Sequence, residues 1–536
     1  MQQQLSSLDA EFLYVESATT VGHVGALLML DPASAPGGQL SLDRVREVLE
    51  PRLHLAPQLR QRLVRVPLGL GLPYWIDDPD FDIEFHLRDI GLPGLGSGEQ
   101  LAEQVARIHA RPLDRTRPLW EMYLIHNVSG GHQALYSKIH HAAIDGVSGA
   151  EILATILDTT VEPRVVEPPD EYWAPEPLPS QLTLLQRGVA AAAAQPRDAL
   201  RILPRTLPHL ADLPGASLIP GAQLVSDLAD GLVKLATDGA QGRTAAHRTV
   251  ATPATPLNKA ITPHRRFAYG SLPLSEIKTV KNAMSMTVND VVMALCTSTL
   301  RRWLLDHDGL PDTPIVIAVP VSVRSDAGGG PPSAEAAGAE PEAGVAASSG
   351  EGLETSSGAH LVSSAGNQVS VMLAEMPTHI ADPLERLEAV RLAMAEAKEH
   401  FDALPATVLQ DIVSVVPTAL AGLATRAAFA MVTAAGFPFN LFISNVPGPQ
   451  EPLYVGGAKV LGIYPASAIT DATGALNITL FSYDGALDFG LIACREIVPD
   501  VQNLIGYLRN ALDELLAVTT GKHVADRPED HPAVPD

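Results

Sequence analysis

Residues 132–158 read HQALYSKIHHAAIDGVSGAEILATILD, and this stretch decides the fold. Its first ten residues are typical of a β-strand, and an apolar strand at 119–128 precedes them across a Ser-Gly-Gly turn, so the two predict a hairpin. The second half places Ser148 and Glu151 at capping-box spacing and continues with apolar residues at helical spacing. The pattern therefore predicts a strand, a short loop and a helix, with two adjacent histidines where the strand ends.

The second half of the chain repeats this mixture of strands and helices. Hairpin and helix signals include an Asp484-Gly485 turn, Thr287 as a helix cap and an Asp382-Pro383 helix start. The predicted helices cover 274–284, 287–309, a segment from Pro383, and 500–518. The predicted strands cover 314–324, 367–376, 440–449 and the hairpin 475–496.

The length of 536 residues exceeds what one compact core holds, so two large domains are expected. Composition places the N-terminal domain at 1–160, a Pro- and Ala-rich crossover linker at 161–255 and the C-terminal domain at 256–520. Residues 325–365 carry almost no bulky side chains and are predicted to be a disordered insertion. The charged, Pro-rich tail 521–536 is expected to be flexible.

Charge and cysteine content exclude several classes of protein. The chain has 37 basic and 61 acidic residues, a net charge of −24, which argues against a nucleic-acid partner. Only Cys296 and Cys494 are present, so a disulfide scaffold and a cysteine zinc site are excluded, and a cytoplasmic setting is expected. Residues 1–20 lack the features of a signal peptide.

One apolar region, 412–450, is long enough to raise the question of a membrane span. Pro417, Gly436 and Pro438 interrupt it, whereas a spanning helix needs about 20 unbroken apolar residues. We interpret it as helical pieces that are buried in protein or lie on a membrane surface.

The chemistry-bearing motif is HHAAIDG, residues 140–146, and three mechanisms compete for it. A metal site is disfavoured because neighbouring side chains on a strand point to opposite faces. A hydrolase triad lacks a G-x-S-x-G nucleophile. A lone histidine acting as general base toward an alcohol needs neither metal nor covalent intermediate. The alternative is a strand-end histidine pair with only a structural role.

The motif and several other blocks resemble the bacterial wax ester synthase/diacylglycerol acyltransferase family, within the HHxxxDG superfamily of CoA-dependent acyltransferases. The resemblance covers about residues 5–518, and actinobacterial triacylglycerol synthases are the nearest in type. The insertion 325–365 is longer than the family pattern. The matching blocks are LDAEF (8–12), RPLWE (117–121), VND (288–290), VPVSVR (319–324), GNQ (366–368) and SNVPGP (444–449).

The resemblance implies an α/β fold of two chloramphenicol-acetyltransferase-like domains with a substrate tunnel between them. It implies acyl transfer from acyl-CoA to the hydroxyl of diacylglycerol, with wax ester synthesis from long-chain alcohols as a second activity. Acyl-CoA is then a substrate, and no cofactor or metal is expected. Amphiphilic substrates imply a cytoplasmic enzyme that is peripherally associated with a membrane or lipid-droplet surface.

Family roles carry over residue by residue. His141 matches the catalytic general base and His140 a supporting histidine, while Asp145 and Gly146 shape the loop. Asn289 is a candidate oxyanion stabiliser, because an amide donor near a helix N-terminus suits that role, or else bonds its own backbone. The remaining residue, Asp290, is expected to pack or cap.

Two rival functions remain at this point. One is a related acyltransferase for another alcohol, such as a glycolipid or a polyketide diol. The other is a non-catalytic lipid-binding protein of the same fold, which the intact His141, Asp145 and Asn289 disfavour.

Overall fold

The computed structural model of the chain describes residues 3–144, 252–322, 369–402 and 439–521, together with 152–190 except 154, 170–172 and 176. Several predictions therefore lie outside the described residues. These are Asp145 and Gly146, the start of the helix at 148–158, most of the linker 161–255, the insertion 325–365, residues 412–438 of the apolar region, and the tail after 521.

Within the described residues, the strands form two six-stranded sheets and one three-stranded sheet. In chain order they are β1 (Gln3–Gln4), β2 (His23–Asp31), β3 (Gln61–Val64), β4 (Tyr74–Asp77), β5 (Leu87–Gly96), β6 (Trp120–Val128), β7 (His132–His140), β8 (Arg265–Pro273), β9 (Ile315–Ser322), β10 (Val369–Met376), β11 (Leu441–Val446), β12 (Tyr454–Val455), β13 (Ala458–Ala466), β14 (Leu476–Tyr483) and β15 (Ala486–Cys494).

The helices accompany these sheets. They are α1 (Ser7–Tyr14), α2 (Leu42–Leu49), α3 (Ile83–His86), α4 (Gly98–His109), α5 (Leu274–Met284), α6 (Val288–Asp306), α7 (Pro383–Asp402) and α8 (Asn503–Thr520). Residues 181–190 are also helical. None of the helices in the described part of the chain is both long and apolar enough to cross a bilayer.

The first large sheet has the strand order β12-β13-β2-β7-β6-β5, and only the β5–β6 pair is parallel. The predicted hairpin is confirmed as β6 and β7, which pair antiparallel from Trp120 opposite Ile139. Gly130 and Gly131 both have φ near +76°, a conformation that glycine adopts without steric cost. The histidine motif therefore begins at the end of a central strand.

The second large sheet has the order β10-β9-β11-β14-β15-β8, in which β11 runs parallel to β9 and β14. The predicted hairpin is confirmed as β14 and β15, and its turn residues Asp484 and Gly485 have φ of 40° and 80°. The central helix α6 packs against α5, α7 and α8, and its Trp303 is fully buried. With two sheets and packed helices, the predicted α/β class is confirmed.

The two large sheets are interlocked. Strands β12 and β13 come from residues 454–466, yet β13 pairs with β2 of the first sheet, from Lys459 opposite Asp31 to Ala466 opposite Gly25. The second half of the chain thus contributes a strand to the first sheet, and the partner of that strand is set by long-range packing, which a local pattern does not encode.

The small sheet, with strand order β1-β4-β3, packs next to the residues that follow the two histidines. Apolar side chains from this sheet and from α1 form one cluster with Ala142 and Ala143, directly after the histidines. The buried members are Leu5, Ala10, Leu13, Leu72, Trp75, Leu113, Leu119, Ala142 and Ala143.

Candidate active site

His140, the last residue of β7, is held through both ring nitrogens. Nδ1 accepts the main-chain N–H of Ala142 at 3.0 Å, and Nε2 lies 3.1 Å from Oε1 of Glu16. Because Nδ1 accepts, the hydrogen-bond network assigns the ring proton to Nε2, which donates it to the carboxylate. The main-chain N–H of His140 also donates to the carbonyl of Leu119 at 2.9 Å. This buried ring is suited to support the site rather than to bind a substrate atom.

Glu16 connects three parts of the site. Its Oε1 accepts the Gly22 N–H at 2.7 Å as well as the proton of His140, while Oε2 accepts from Nη2 of Arg115. Burial alone would raise the pKa of Glu16, but the hydrogen bond from His140, the charge of Arg115 and the Gly22 N–H outweigh burial and lower the pKa to about 2. The carboxylate therefore stays ionised across the physiological range.

His141 follows in a short 3-10 turn and is half-buried. Its main-chain N–H donates to the Gly22 carbonyl at 2.8 Å, and its ring stacks on Phe12 of α1 with centroids 4.1 Å apart and planes 16° from parallel. These contacts fix both the backbone and the plane of the imidazole.

Burial lowers the pKa of His141 to about 4, although a hydrogen bond to its own backbone acts in the opposite direction. The imidazole is therefore neutral near pH 7. A neutral imidazole is the form that can accept a proton from an alcohol.

Gly22 brings these groups together. Its N–H binds Glu16 and its carbonyl binds the His141 backbone. A Cβ at this position would lie 2.7 Å from the Phe12 carbonyl oxygen and 2.9 Å from Nε2 of His140. Only glycine lets the segment before β2 approach both histidines this closely.

The RPLWE block packs next to the histidines. Leu119 and Trp120 are 1% and 2% exposed. Leu119 accepts the His140 N–H, and Trp120 donates from Nε1 to the Leu59 carbonyl at 2.7 Å. The block therefore supports the end of β7.

Asn289 lies in the first turn of α6, and its Oδ1 accepts from Nδ2 of Asn445 at 3.1 Å. This bond joins the VND and SNVPGP blocks, which are 156 residues apart in sequence. Nδ2 of Asn289 is the donor end of the amide, and no bond from it to His140 or His141 is seen among the described residues. The oxyanion role therefore stays a prediction.

Asp290 takes part in a capping box. Its Oδ2 accepts the Thr287 N–H at 3.0 Å, and its own N–H donates to Oγ1 of Thr287 at 3.1 Å. Thr287 is thus the helix cap that the sequence predicted, and α6 begins at the next residue.

Sequence reasoning did not identify Glu16, Gly22 or Arg115. Glu16 is 124 residues from His140 and 99 from Arg115 in sequence, so no spacing rule relates them. Phe12 lies in the LDAEF block, which pointed to the segment but not to its stacking on His141.

Comparison with known proteins identifies the family of this chain. Residues 5–292 match the family model of the wax ester synthase/diacylglycerol acyltransferase catalytic domain, and residues 365–516 match that of its C-terminal domain. A putative diacylglycerol O-acyltransferase of Mycobacterium tuberculosis is 34% identical, over 95% of this chain and 99% of that protein. A second one, named probable diacylglycerol O-acyltransferase tgs2, is 32% identical over 95% of this chain and 97% of its own length.

A solved structure agrees with these matches. The wax ester synthase/diacylglycerol acyltransferase from Marinobacter aquaeolei VT8 superposes with a TM-score of 0.61 and 28% identity, covering 97% of this chain and all of that one. This chain therefore belongs to the wax ester synthase/diacylglycerol acyltransferase family of O-acyltransferases.

Proposed function

We propose that this chain is an acyl-CoA:diacylglycerol O-acyltransferase that makes triacylglycerol, with His141 as its general base. The observation that carries the proposal is the neutral, half-buried imidazole of His141 in an HHxxxDG motif. Its ring stacks on Phe12, and its main-chain N–H donates to the Gly22 carbonyl. The names of the tuberculosis relatives support diacylglycerol as the acceptor.

The proposed reaction is a direct transfer. The neutral imidazole of His141 accepts the proton of the acceptor hydroxyl while the hydroxyl oxygen attacks the thioester carbonyl carbon of acyl-CoA. The resulting tetrahedral intermediate collapses, and the carbon–sulfur bond breaks. The imidazolium then gives its proton to the CoA thiolate, so the products are one ester and free CoA, and the histidine returns to its neutral form.

Other residues serve this step in defined ways. Glu16 and His140 hold the turn that carries His141, and Asp145 and Gly146 are proposed to shape the rest of that loop. Nδ2 of Asn289 is proposed to donate to the oxyanion of the tetrahedral intermediate.

The proposal also covers the substrates of the enzyme and the place where it meets them. Acyl-CoA and diacylglycerol are its substrates, no cofactor takes part, and the substrates reach the site from a membrane or lipid-droplet surface on the cytoplasmic side. An acceptor of this kind resides in a bilayer, which is why a peripheral contact is part of the proposal.

Long-chain alcohols are the second acceptor class. The Marinobacter protein carries wax ester synthase in its name, and the structural agreement extends over the whole chain. The attack chemistry is the same for a primary alcohol, because His141 needs only a hydroxyl proton to accept.

A panel of acceptors tests the proposal. Radiolabelled palmitoyl-CoA is offered with diolein, hexadecanol, a glycolipid or a long-chain diol, each dispersed in detergent, and the products are separated. We expect label in triacylglycerol, with wax ester as a second product. Label only in the glycolipid or diol ester would reassign the acceptor, and palmitoyl-CoA binding without any product would favour a lipid-binding role.

A further inference from the structure

A mixed apolar and basic surface lies beside the small sheet. The loop between β3 and β4 presents Leu68, which is 84% exposed, and the helical residues 181–190 present Leu182 and Val189, which are 64% and 54% exposed. Leu182 and Val189 are seven residues apart and therefore lie on the same side of the helix. We define the leucine–arginine face as Leu68, Leu182, Val189, Arg65 and Arg187.

The 181–190 helix is anchored to the loop by its opposite side. Leu184 is fully buried. A Cβ on Gly188 would come within 2.7 Å of Cγ1 of Val66, so the helix backbone lies directly on the loop. The Arg187 guanidinium lies 5.7 Å from the ring centroid of Tyr74 on β4. The helix therefore already buries one apolar side, and its exposed apolar side is a second one.

Leu68 adds an observation of its own. Its φ of 59° is in the left-handed region, which bulky residues rarely adopt. The loop thus holds a leucine in an unfavourable conformation with its side chain in water. An apolar phase over the loop would remove the second of these costs.

The two charged residues of this face, Arg65 and Arg187, are basic and exposed, whereas the whole chain has 61 acidic and 37 basic residues. The nearby Arg62 is instead paired with Asp78 at 3.1 Å. Exposed apolar side chains beside arginines suit the boundary of an anionic bilayer, where apolar side chains enter the acyl layer and guanidinium groups bind phosphates.

The face is connected to the candidate site through α1. Leu72, which precedes β4, and Trp75 of β4 belong to one apolar cluster with α1 and Ala142. Helix α1 carries Phe12, which stacks on His141, and its last residue, Tyr14, lies close enough to feel the charge of Arg65. Helix α1 therefore contacts the candidate site and also lies near Arg65 of the face.

We propose that the leucine–arginine face docks this protein on the surface of a bilayer that contains anionic phospholipids. The inference deepens the proposed function and rests on it, because it names the surface from which a lipid acceptor would be taken. A second copy of the chain or another protein on this face is an alternative that the experiment below separates.

Vesicle binding tests the proposal independently of catalysis. The full-length protein is floated with phosphatidylcholine vesicles that contain or lack phosphatidylglycerol. We expect wild type to bind the anionic vesicles and to be released by salt, since a Debye length shortens with ionic strength. Each arginine near an anionic surface contributes about fivefold in affinity, so the double variant Arg65→Gln/Arg187→Gln should bind roughly 25-fold more weakly.

The apolar part of the face has its own variant and matched control. Leu68→Ser should weaken vesicle binding about tenfold, because the leucine side chain no longer enters the acyl layer. Leu392, which is 55% exposed on α7, provides the control, and Leu392→Ser should bind like wild type. Equal losses for both variants, or wild-type binding by Leu68→Ser, would overturn the proposal.

Two further outcomes keep this inference separate from the proposed function. Wild type that transfers acyl groups to detergent-dispersed diolein but binds no vesicles retains the function and loses the docking face. Vesicle binding that depends on the face, without any acyl transfer, would retain the docking face and refute the proposed function. Wild type that forms a dimer dissociated by Leu68→Ser, without vesicle binding, would assign the face to a second copy and refute the proposal.

Discussion

Replacing Glu16 by glutamine removes one negative charge from beneath the histidines and keeps the shape of the side chain. Oε1 of glutamine can still accept from Gly22 and His140, the two donors that Oε1 of Glu16 serves. The amide nitrogen of glutamine instead faces the Arg115 guanidinium, so a donor meets a donor. The variant therefore removes the charge together with the acceptor for Arg115, while it keeps the acceptor for Gly22 and His140.

The magnitude follows from the pKa of Glu16. The pKa is lowered from 4.5 to about 2. The folded state therefore stabilises the ionised carboxylate, relative to the neutral form, by roughly 3 kcal/mol more than the unfolded chain does. Glutamine resembles the neutral form, so Glu16→Gln should lose about 3 kcal/mol of local stability at pH 7. Because the folded pKa is lowered, this stabilisation is present above pH 4.5 and disappears as the pH falls through about 2.

Amide hydrogen exchange measures this local loss in a large protein better than global unfolding does. Peptides that cover 16–23 and 139–144 should exchange roughly 100-fold faster in Glu16→Gln than in wild type at pH 7. Glu103→Gln is the control, since Glu103 is half-exposed and its pair with Arg107 is a surface contact worth about 0.5 kcal/mol. Unchanged exchange in both peptides, or an equal change in the control, would refute the reasoning.

Two more predictions concern the histidine turn. Because burial lowers the pKa of His141 to about 4 and the neutral imidazole is the base, kcat/KM should stay constant as the pH falls through 6.5 and decline only near pH 4. A decline centred between pH 6 and 7 would contradict this prediction. Full recovery of activity on return to pH 7 is the control that the enzyme had not unfolded. Gly22→Ala should lower kcat at least about tenfold and accelerate amide exchange in residues 139–144, because the added Cβ would lie 2.9 Å from Nε2 of His140. The control Gly506→Ala, which has open space at its Cβ position, should change neither. Wild-type kcat in Gly22→Ala would show that this close approach is dispensable.

Much of the fold could be predicted from local sequence patterns. The hairpin ending at His140, the 274–284 helix and the Asp484-Gly485 turn all appear as predicted, because turn residues and apolar periodicity act within a few residues. The Thr287 cap was visible for the same reason, since Asp290 stands three residues later.

Contacts between residues that are distant in sequence could not be predicted from the sequence. The pairing of β13 with β2 joins residues more than 400 positions apart, and no strand was predicted at 458–466. The clamp of Glu16 on His140 is the same kind of contact within the site. Recognition of the HHxxxDG motif named His140 and His141, whereas the carboxylate that holds them required the fold.

Acyl transfer by a His141 variant tests the central claim most directly. Wild type, His141→Ala and the control His379→Ala, which changes an exposed histidine of the second domain, are assayed with radiolabelled palmitoyl-CoA and diolein. We predict that His141→Ala loses about 10²-fold or more in kcat while it stays folded and still binds palmitoyl-CoA, and that His379→Ala equals wild type. Wild-type kcat in folded His141→Ala would show that His141 is not the base and would contradict the account.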